Sequence, residues 1–325
     1  MGLMSVEVYS LDSGAMLINK SLKVAVLAGG VGSERQVSLT SGKNVAQAIN
    51  DAGLNVVTSD ISPDDMSILC DKSIDVFFLA LHGRFGEDGQ LQRILEDKGL
   101  VYTGCGPEAS AVAFDKIASK KAFAGAGVSV PRMLECKIGT DLDKFAEDLA
   151  SLSNRYVIKP PAEGSSVGVV IANSVDEAVR LSRECLNEFG GCMVEEFIIG
   201  REVTVGVLCG RVLPVLEIRA KSGFYDYNAK YVAEDTQFLF DTIEDVNIVR
   251  KLQSDAKLCF DAVGCRDISR IDFIVRGEEC YCLEVNTIPG FTGHSLLPMA
   301  AKKAGISMSQ LCMMVIEEAW KRRKK

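Results

Sequence analysis

Two carboxylates, an amide and a guanidinium recur at two-residue spacing within residues 269–298, and that spacing suits the binding of a phosphate-bound divalent cation. In extended backbone, successive side chains point to opposite faces. Arg270 and Asp272 therefore share one face, with Phe273 and Val275 on the other, while Cys282, Glu284 and Asn286 share a face of the following run. If Asp272 stands opposite or diagonal to Glu284, two like charges meet, and they repel unless a cation lies between them. Oxygen-only ligands that leave positions for water and phosphate suit Mg²⁺ or Mn²⁺. The same residues would also make an ordinary amphipathic hairpin with a charged, wet face.

The elements that must position these groups are two β-runs, 269–275 and 280–285, joined by a charged turn at 276–279. The pattern predicts a hairpin. Asn286 leads into a turn-rich loop over 287–293 that exposes backbone N–H groups, and then into His294-Ser295-Leu296.

A chain of 325 residues is long enough for two or three domains with large cores. Its 47% hydrophobic content and 29 glycines fit a soluble α/β protein. The formal charge of -8, with no basic stripe to offset it, argues against a nucleic-acid binder. Lysines and arginines at 321–325 read as a solvated helix end. The eleven cysteines follow no metal-ligand spacing, and Cys280 and Cys282 fall on one strand face, poor geometry for a bridge. The thiols are therefore read as reduced and the compartment as cytoplasmic. No apolar run approaches the roughly 18 residues of a membrane span. Residues 1–21 lack a basic n-region and read as a poorly ordered extension, not a signal peptide.

Further candidates precede the hairpin. A strand over 22–28 enters Gly29-Gly30-Val31-Gly32-Ser33 and a helix reaching about residue 52, with a capping box from Ser33 to Gln36, or a cap from Thr40 or Ser41. Strand, glycine turn and helix suggest a dinucleotide fold, yet Arg35 stands where its third glycine belongs, and Asp60 is only a fair ribose-binding acid. A buried strand over 74–81 ends in His82-Gly83-Arg84-Phe85-Gly86-Glu87-Asp88-Gly89, at the kind of strand end where open α/β sheets hold ligands. A single helix is expected over 108–124; Lys116 and Lys120 share its face and read as solvated. Strands at 156–159 and 169–172 flank a Gly-Ser loop able to fold over phosphates without a Walker motif, and Lys159 supplies a point charge at its entrance. The strand 192–197 carries Glu195 and Glu196, and Glu202 follows Gly200-Arg201. Paired strands are expected at 202–209 and 211–218. The polar, aromatic stretch 221–231 is too long for a tight connection and suggests a lid. Helices over 244–263 and 307–322 would cover the sheet that carries the hairpin.

Arg270-Ile271-Asp272, Leu283-Glu284-Val285-Asn286-Thr287, Pro289-Gly290 and His294-Ser295-Leu296-Leu297-Pro298 together resemble the ATP-grasp ligases, and within them the D-alanine-D-alanine ligases. The resemblance runs from about residue 24 to 311. It implies an α/β (α+β) chain of three domains: a Rossmann-like substrate domain at 22–104, a small central ATP-grasp domain at 105–194 and a C-terminal ATP-grasp domain at 195–325. By the same resemblance Glu34 holds the ammonium of the first D-alanine and His82 lies near it. Lys116, Lys159, Ser165, Ser166 and Lys230 serve the phosphates of ATP, and Ser165 helps close the site. Glu195 meets the adenine amino group, the backbone of Glu196, Phe197 and Ile198 lines the base, and Glu202 takes the ribose hydroxyls. Tyr231 bonds toward Ser165 and Glu34. Asp272, Glu284 and Asn286 hold two Mg²⁺ or Mn²⁺, Arg270 and the Gly290 N–H stabilise an oxyanion, and Ser295 with the Leu296 backbone binds the second substrate's carboxylate.

The implied reaction is ATP-dependent formation of D-alanyl-D-alanine for peptidoglycan through an acylphosphate, in a cytoplasmic homodimer whose partners are ATP and D-alanine. The rivals are another ATP-grasp ligase, including one for D-lactate, a nicotinamide dehydrogenase built on the Gly29 turn, and a non-enzymatic ATP-binding regulator. The usual glycine of the family is replaced by Arg93, a change expected to affect local packing only.

Overall fold

β1 (Lys23–Gly29) is buried along nearly its whole length because both faces of its sheet are covered, which is why it reads as an apolar run without alternation. In the computed structural model, which describes residues 21–220 and 235–323, it pairs in parallel with β2 (Asn55–Ile61) and β3 (Val76–Leu79) in the order β2-β1-β3. The expected extension, Ser21 apart, and the whole of the 221–231 loop, Lys230 and Tyr231 included, lie outside the described residues. The crossover helix α1 (Arg35–Asp51) has Glu34 as its N-cap, without a side-chain cap, so the expected Ser33 capping box does not form. The turn is held from within the helix instead: Ser38 Oγ accepts from Gly29 N and donates to Ala80 O, both at 2.8 Å.

α2 (Gln90–Asp97) follows the His82 loop. The single helix expected over 108–124 is two, α3 (Pro107–Phe114) and α4 (Lys116–Gly125). Asp115 between them is extended, and its carboxylate caps α4 by accepting from the N–H groups of Ile117 and Ala118. This break aims Lys116 and Lys120 inward.

A four-stranded antiparallel sheet in the order β4-β7-β5-β6 comprises β4 (Met133–Cys136), β5 (Tyr156–Lys159), β6 (Val170–Ala172) and β7 (Cys192–Glu196). The amphipathic helices α5 (Leu142–Leu152) and α6 (Val175–Phe189) bury Phe145, Leu149 and Ala178 against its Tyr156, Ile158 and Val194.

The third sheet runs β11-β10-β8-β12-β13, with β9 paired to β8. Its strands are β8 (Arg201–Leu208), β9 (Arg211–Val212), β10 (Leu216–Arg219), β11 (Gln237–Phe240), β12 (Ile268–Arg276) and β13 (Glu279–Asn286). The single strand expected over 211–218 is thus divided, and Pro214, which has no N–H for a ladder, lies in the gap. α7 (Val246–Val263) covers this sheet together with α3 and α4, packing Leu252, Cys259 and Phe123 on Val203, Ile271 and Phe273. α8 (Leu296–Lys303) was not anticipated in the substrate loop. α9 (Met308–Lys321) forms with the capping box of Ser307 and Gln310, but Leu311, Val315 and Ile316 join a core shared with Val45 and Ile49 of α1 and with β1. It therefore seals the seam between the first and third sheets, where it was expected to cover the hairpin's sheet. All eleven cysteines are free thiols. Among the described residues no helix is long and apolar enough to cross a membrane.

Candidate active site

The hairpin brings its polar residues together rung by rung: Arg270 faces Asn286, and Asp272 faces Glu284. Immediately beyond that rung the register shifts, and Phe273 pairs with Cys282. The extra residue on β13, Leu283, is a β-bulge, a feature that re-aims side chains next to functional sites. It corrects the expected alternation: Cys282 does not share the face of Glu284 but is buried in the apolar core, its Sγ 3.6 Å from Sγ of Cys259. Cys280 joins it there, and of the three residues expected on one face it is Glu284 and Asn286 that line the smaller cavity.

Asp272 is nearly buried and accepts from Thr204 Oγ1 at 2.6 Å and from Arg270 Nε and Nη2 at 2.9 and 2.8 Å. Asn286 Oδ1 accepts from Ile288 N at 3.0 Å, an Asx turn that starts the substrate loop. The Glu284 carboxylate lies 3.8 Å from Lys116 Nζ.

Two cavities meet at this hairpin. One of about 310 Å³ is lined by Glu34, His82, Lys116, Ser165, Arg270, Glu284, Asn286, Gly290, Ser295 and Leu296. The other, about 670 Å³, lies between the two antiparallel sheets and is lined by Lys159, Ser166, Glu195, Glu196, Phe197, Ile198, Glu202, Asp272 and Glu284. Every described candidate residue opens on one cavity or the other, and Glu284 opens on both.

In the smaller cavity the Ser165 hydroxyl donates to Glu34 across 131 residues of sequence. Ser165 and Ser166 take left-handed backbone conformations, φ 48° and 60°, which cost about 1–3 kcal/mol each and must be held by surrounding contacts such as that of Ser165 with Glu34. Glu34 is wedged between glycines: a Cβ on Gly83 or Gly164 would lie 2.9 or 2.7 Å from its Oε2. His82 is buried with Nε2 3.4 Å from Ser41 Oγ, and burial, with Arg270 nearby, brings its pKa down to about 4, so the imidazole is neutral. Gly290 lies so close to Ser295 that a Cβ would come 2.6 Å from its Oγ, while that Oγ accepts from Thr292 N at 2.8 Å.

In the larger cavity Glu195 is buried with a separate ammonium on each carboxylate oxygen, Lys120 at 2.6 Å and Lys159 at 2.7 Å. Burial pushes its carboxyl up, but the two lysines outweigh that and hold it below the usual carboxylate range. Arg132 secures Glu196, and Arg155 stacks on the Phe197 ring 3.9 Å from its centre.

Sequence reasoning missed three buried groups. Lys120 was read as solvated; its four-residue offset from the inward-facing Lys116 was the available signal. Glu87 lines the smaller cavity and accepts from Gly83 N at 2.6 Å, and burial followed by the nearby Glu34 pushes its carboxyl well above the usual range. Glu217 lines the larger cavity between Arg201 and Arg219; burial alone would raise its carboxyl, but hydrogen bonds from both arginines bring it down to about 2. It had no motif to mark it.

Among the described residues no group of three or more His, Cys, Asp or Glu could hold a metal. The candidate donors are instead two carboxylates opposed across one rung and a neighbouring amide, an oxygen-only set that fits a hard divalent cation whose shell is completed by phosphate and water.

A nucleotide-sized cavity between two antiparallel sheets, walled by a carboxylate-bearing hairpin and covered by a Gly-Ser loop, defines the ATP-grasp class. Two family models match within it, "D-ala D-ala ligase N-terminus" over residues 66–105 and "D-ala D-ala ligase C-terminus" over residues 126–317. The D-alanine--D-alanine ligase of Syntrophotalea carbinolica is 40% identical over 91% of this chain and 96% of its own, and that of Citrifermentans bemidjiense 41% identical over 92% and 97%. Among solved structures, D-alanine--D-alanine ligase from Bacillus anthracis complexed with ATP superposes with a TM-score of 0.82 at 30% identity, covering 93% of this chain and 99% of that one. The VanG D-Ala:D-Ser ligase of Enterococcus faecalis gives 0.81 at 30%, covering 92% and 99%. The chain belongs to the D-alanine-D-alanine ligase family of ATP-grasp enzymes.

Proposed function

We propose that this protein joins two D-alanine molecules to D-alanyl-D-alanine, converting ATP to ADP and phosphate, and that the product enters peptidoglycan. The observation that carries the reading is Glu284, which faces Asp272 across one rung and lines both cavities, so that one carboxylate borders a nucleotide-sized space and a substrate-sized one.

On this reading ATP occupies the larger cavity, its base against Glu195 to Ile198, its ribose on Glu202 and its phosphates near Lys159, Ser166 and Lys116. The first D-alanine sits in the smaller cavity with its ammonium on Glu34 beside the neutral His82. The second places its carboxylate on the Ser295 hydroxyl and the Leu296 N–H. Asp272, Glu284 and Asn286 would hold two Mg²⁺ or Mn²⁺, which when bound neutralise phosphate charge.

The first substrate's carboxylate oxygen attacks the γ-phosphorus as the bond to the ADP oxygen breaks, giving a D-alanyl phosphate. The amine of the second D-alanine then attacks the acyl carbon, and phosphate leaves. Arg270 and the Gly290 N–H stabilise the oxyanion formed in between. Ser165, docked on Glu34, helps close the site and keep water from the acylphosphate, and the phosphate role expected of Lys230 and the hydrogen bond expected of Tyr231 fall outside the described residues. The three domains, at 22–104, 105–194 and 195–325, a homodimeric assembly and a cytoplasmic location belong to the same proposal.

Phosphate release from ATP tests it: release with D-alanine and none with L-alanine is expected, and equal release with both, or none with either, overturns it. The likeness to a D-Ala:D-Ser ligase favours one second reading, a different second substrate. Product analysis with D-alanine, D-serine and D-lactate in competition separates the two.

A further inference from the structure

Lys120 is the least expected residue near the nucleotide-sized cavity. Its side chain is completely buried, although a lysine is among the residues least often found so unless paired. It lies in the stretch 106–125, between the two segments that the family models match. From α4 it reaches two other elements: Nζ is 2.6 Å from Glu195 Oε1 on β7 and 3.3 Å from the Cys282 carbonyl oxygen on β13. It therefore ties together the two sheets that enclose the cavity.

The chemistry of that contact has a consequence for the base. An ionised carboxylate is an acceptor only, whereas a protonated one also donates. Glu195 carries one lysine on each oxygen, Lys120 away from the cavity lining and Lys159 within it. With Lys120 ion-paired at Oε1, Glu195 stays ionised, and Lys159 is not its sole cationic partner. Without Lys120, a carboxylate only 2% exposed would retain one partner, the conditions under which a buried acid takes up a proton and becomes a donor.

We propose that Lys120 is a positioning residue for base recognition: it holds Glu195 as an acceptor toward the cavity, so that the site selects a purine bearing an exocyclic amino group over one bearing a carbonyl there. The inference rests on the reading above that Glu195 meets the adenine amino group, and it adds the residue that makes that contact selective. A 6-oxo purine would set its carbonyl against the ionised oxygen, two acceptors facing each other. A protonated Glu195 would accommodate it.

The test compares Lys120→Met, Lys120→Gln and Lys120→Arg with the unmodified chain, using ATP and inosine triphosphate in steady-state assays with D-alanine. In Lys120→Met the ratio of kcat/KM for ATP to that for inosine triphosphate is expected to fall about tenfold, the order expected when a buried carboxylate loses one of its two cationic partners. KM for D-alanine should stay within about twofold, a split that general loosening of the fold would not produce. Lys120→Arg, which keeps the charge, should restore most of the ratio. Lys120→Gln, which removes the charge and keeps a polar side chain, serves where the methionine variant does not fold, and its ratio should also fall. An unchanged ratio in whichever neutral variant folds overturns the role of Lys120. If the unmodified chain itself shows no preference for ATP, the reading of Glu195 fails instead.

Discussion

Asp272 and Glu284 face each other across the β12–β13 ladder, and the bulge at Leu283 begins at the very next position. The rung therefore sits where the strand is re-aimed, with Asp272 on the larger cavity and Glu284 on both. Asp272 accepts from Thr204 and Arg270, while the Glu284 side chain is about a third exposed and lies 3.8 Å from Lys116. The two carboxylates thus differ in what their loss should do.

On the proposed reading Glu284→Gln should lower kcat by about two orders of magnitude, because the carboxylate charge that would hold the divalent cation is lost. Its half-open position means that the melting temperature should move by only about 3 °C or less. Activity across a Mg²⁺ titration, read beside a thermal melt, checks both; unchanged activity removes Glu284 as a ligand.

Gly164→Ala puts a Cβ 2.7 Å from Glu34 Oε2 and should push that carboxylate out of place. KM for D-alanine is expected to rise about tenfold with little change in KM for ATP, since the displaced group serves only the smaller cavity. Initial rates with each substrate varied in turn decide it.

The pH dependence of stability should fall in two windows. His82 has a folded pKa near 4 against about 6.5 unfolded. Below pH 6.5 the unfolded chain binds a proton that the folded one does not, so stability present above 6.5 declines as pH falls toward 4. Glu217 is depressed to about 2 from an ordinary 4.5, and its contribution, present above 4.5, is lost as pH falls to 2. Melts of His82→Asn should flatten the upper window, and melts of Glu217→Gln the lower one.

By the family resemblance Tyr231, which lies outside the described residues, is the expected discriminator between dipeptide and depsipeptide products. Tyr231→Phe should increase depsipeptide formation from D-lactate relative to D-alanyl-D-alanine. A side-by-side product assay with no shift removes it as the discriminator.

Much of the site was legible from spacing. The two-residue intervals in Arg270-Ile271-Asp272 and Glu284-Val285-Asn286 specify a shared face as soon as the backbone is extended, and the glycine-rich wording after β1, β3 and β5 marks loops. These are properties of a few neighbouring residues. The failures share one cause as well. The 108–124 helix broke because Asp115 caps α4, a choice between two local structures with similar sequence signals. Cys282 changed faces because one inserted residue inverts a period of two.

By itself the sequence determined the strand, turn and helix periods, the acidic hairpin with its oxygen-only donors, and the wording that carries the family resemblance, because each is written within a short span of backbone. Only the tertiary structure decided that Ser165 meets Glu34, that Lys120 is sealed beneath Glu195, and that one carboxylate borders two cavities. The physical reason is that these contacts follow from how three sheets bury their apolar faces against one another. A lysine on a helix reads the same whether water or a buried carboxylate faces it.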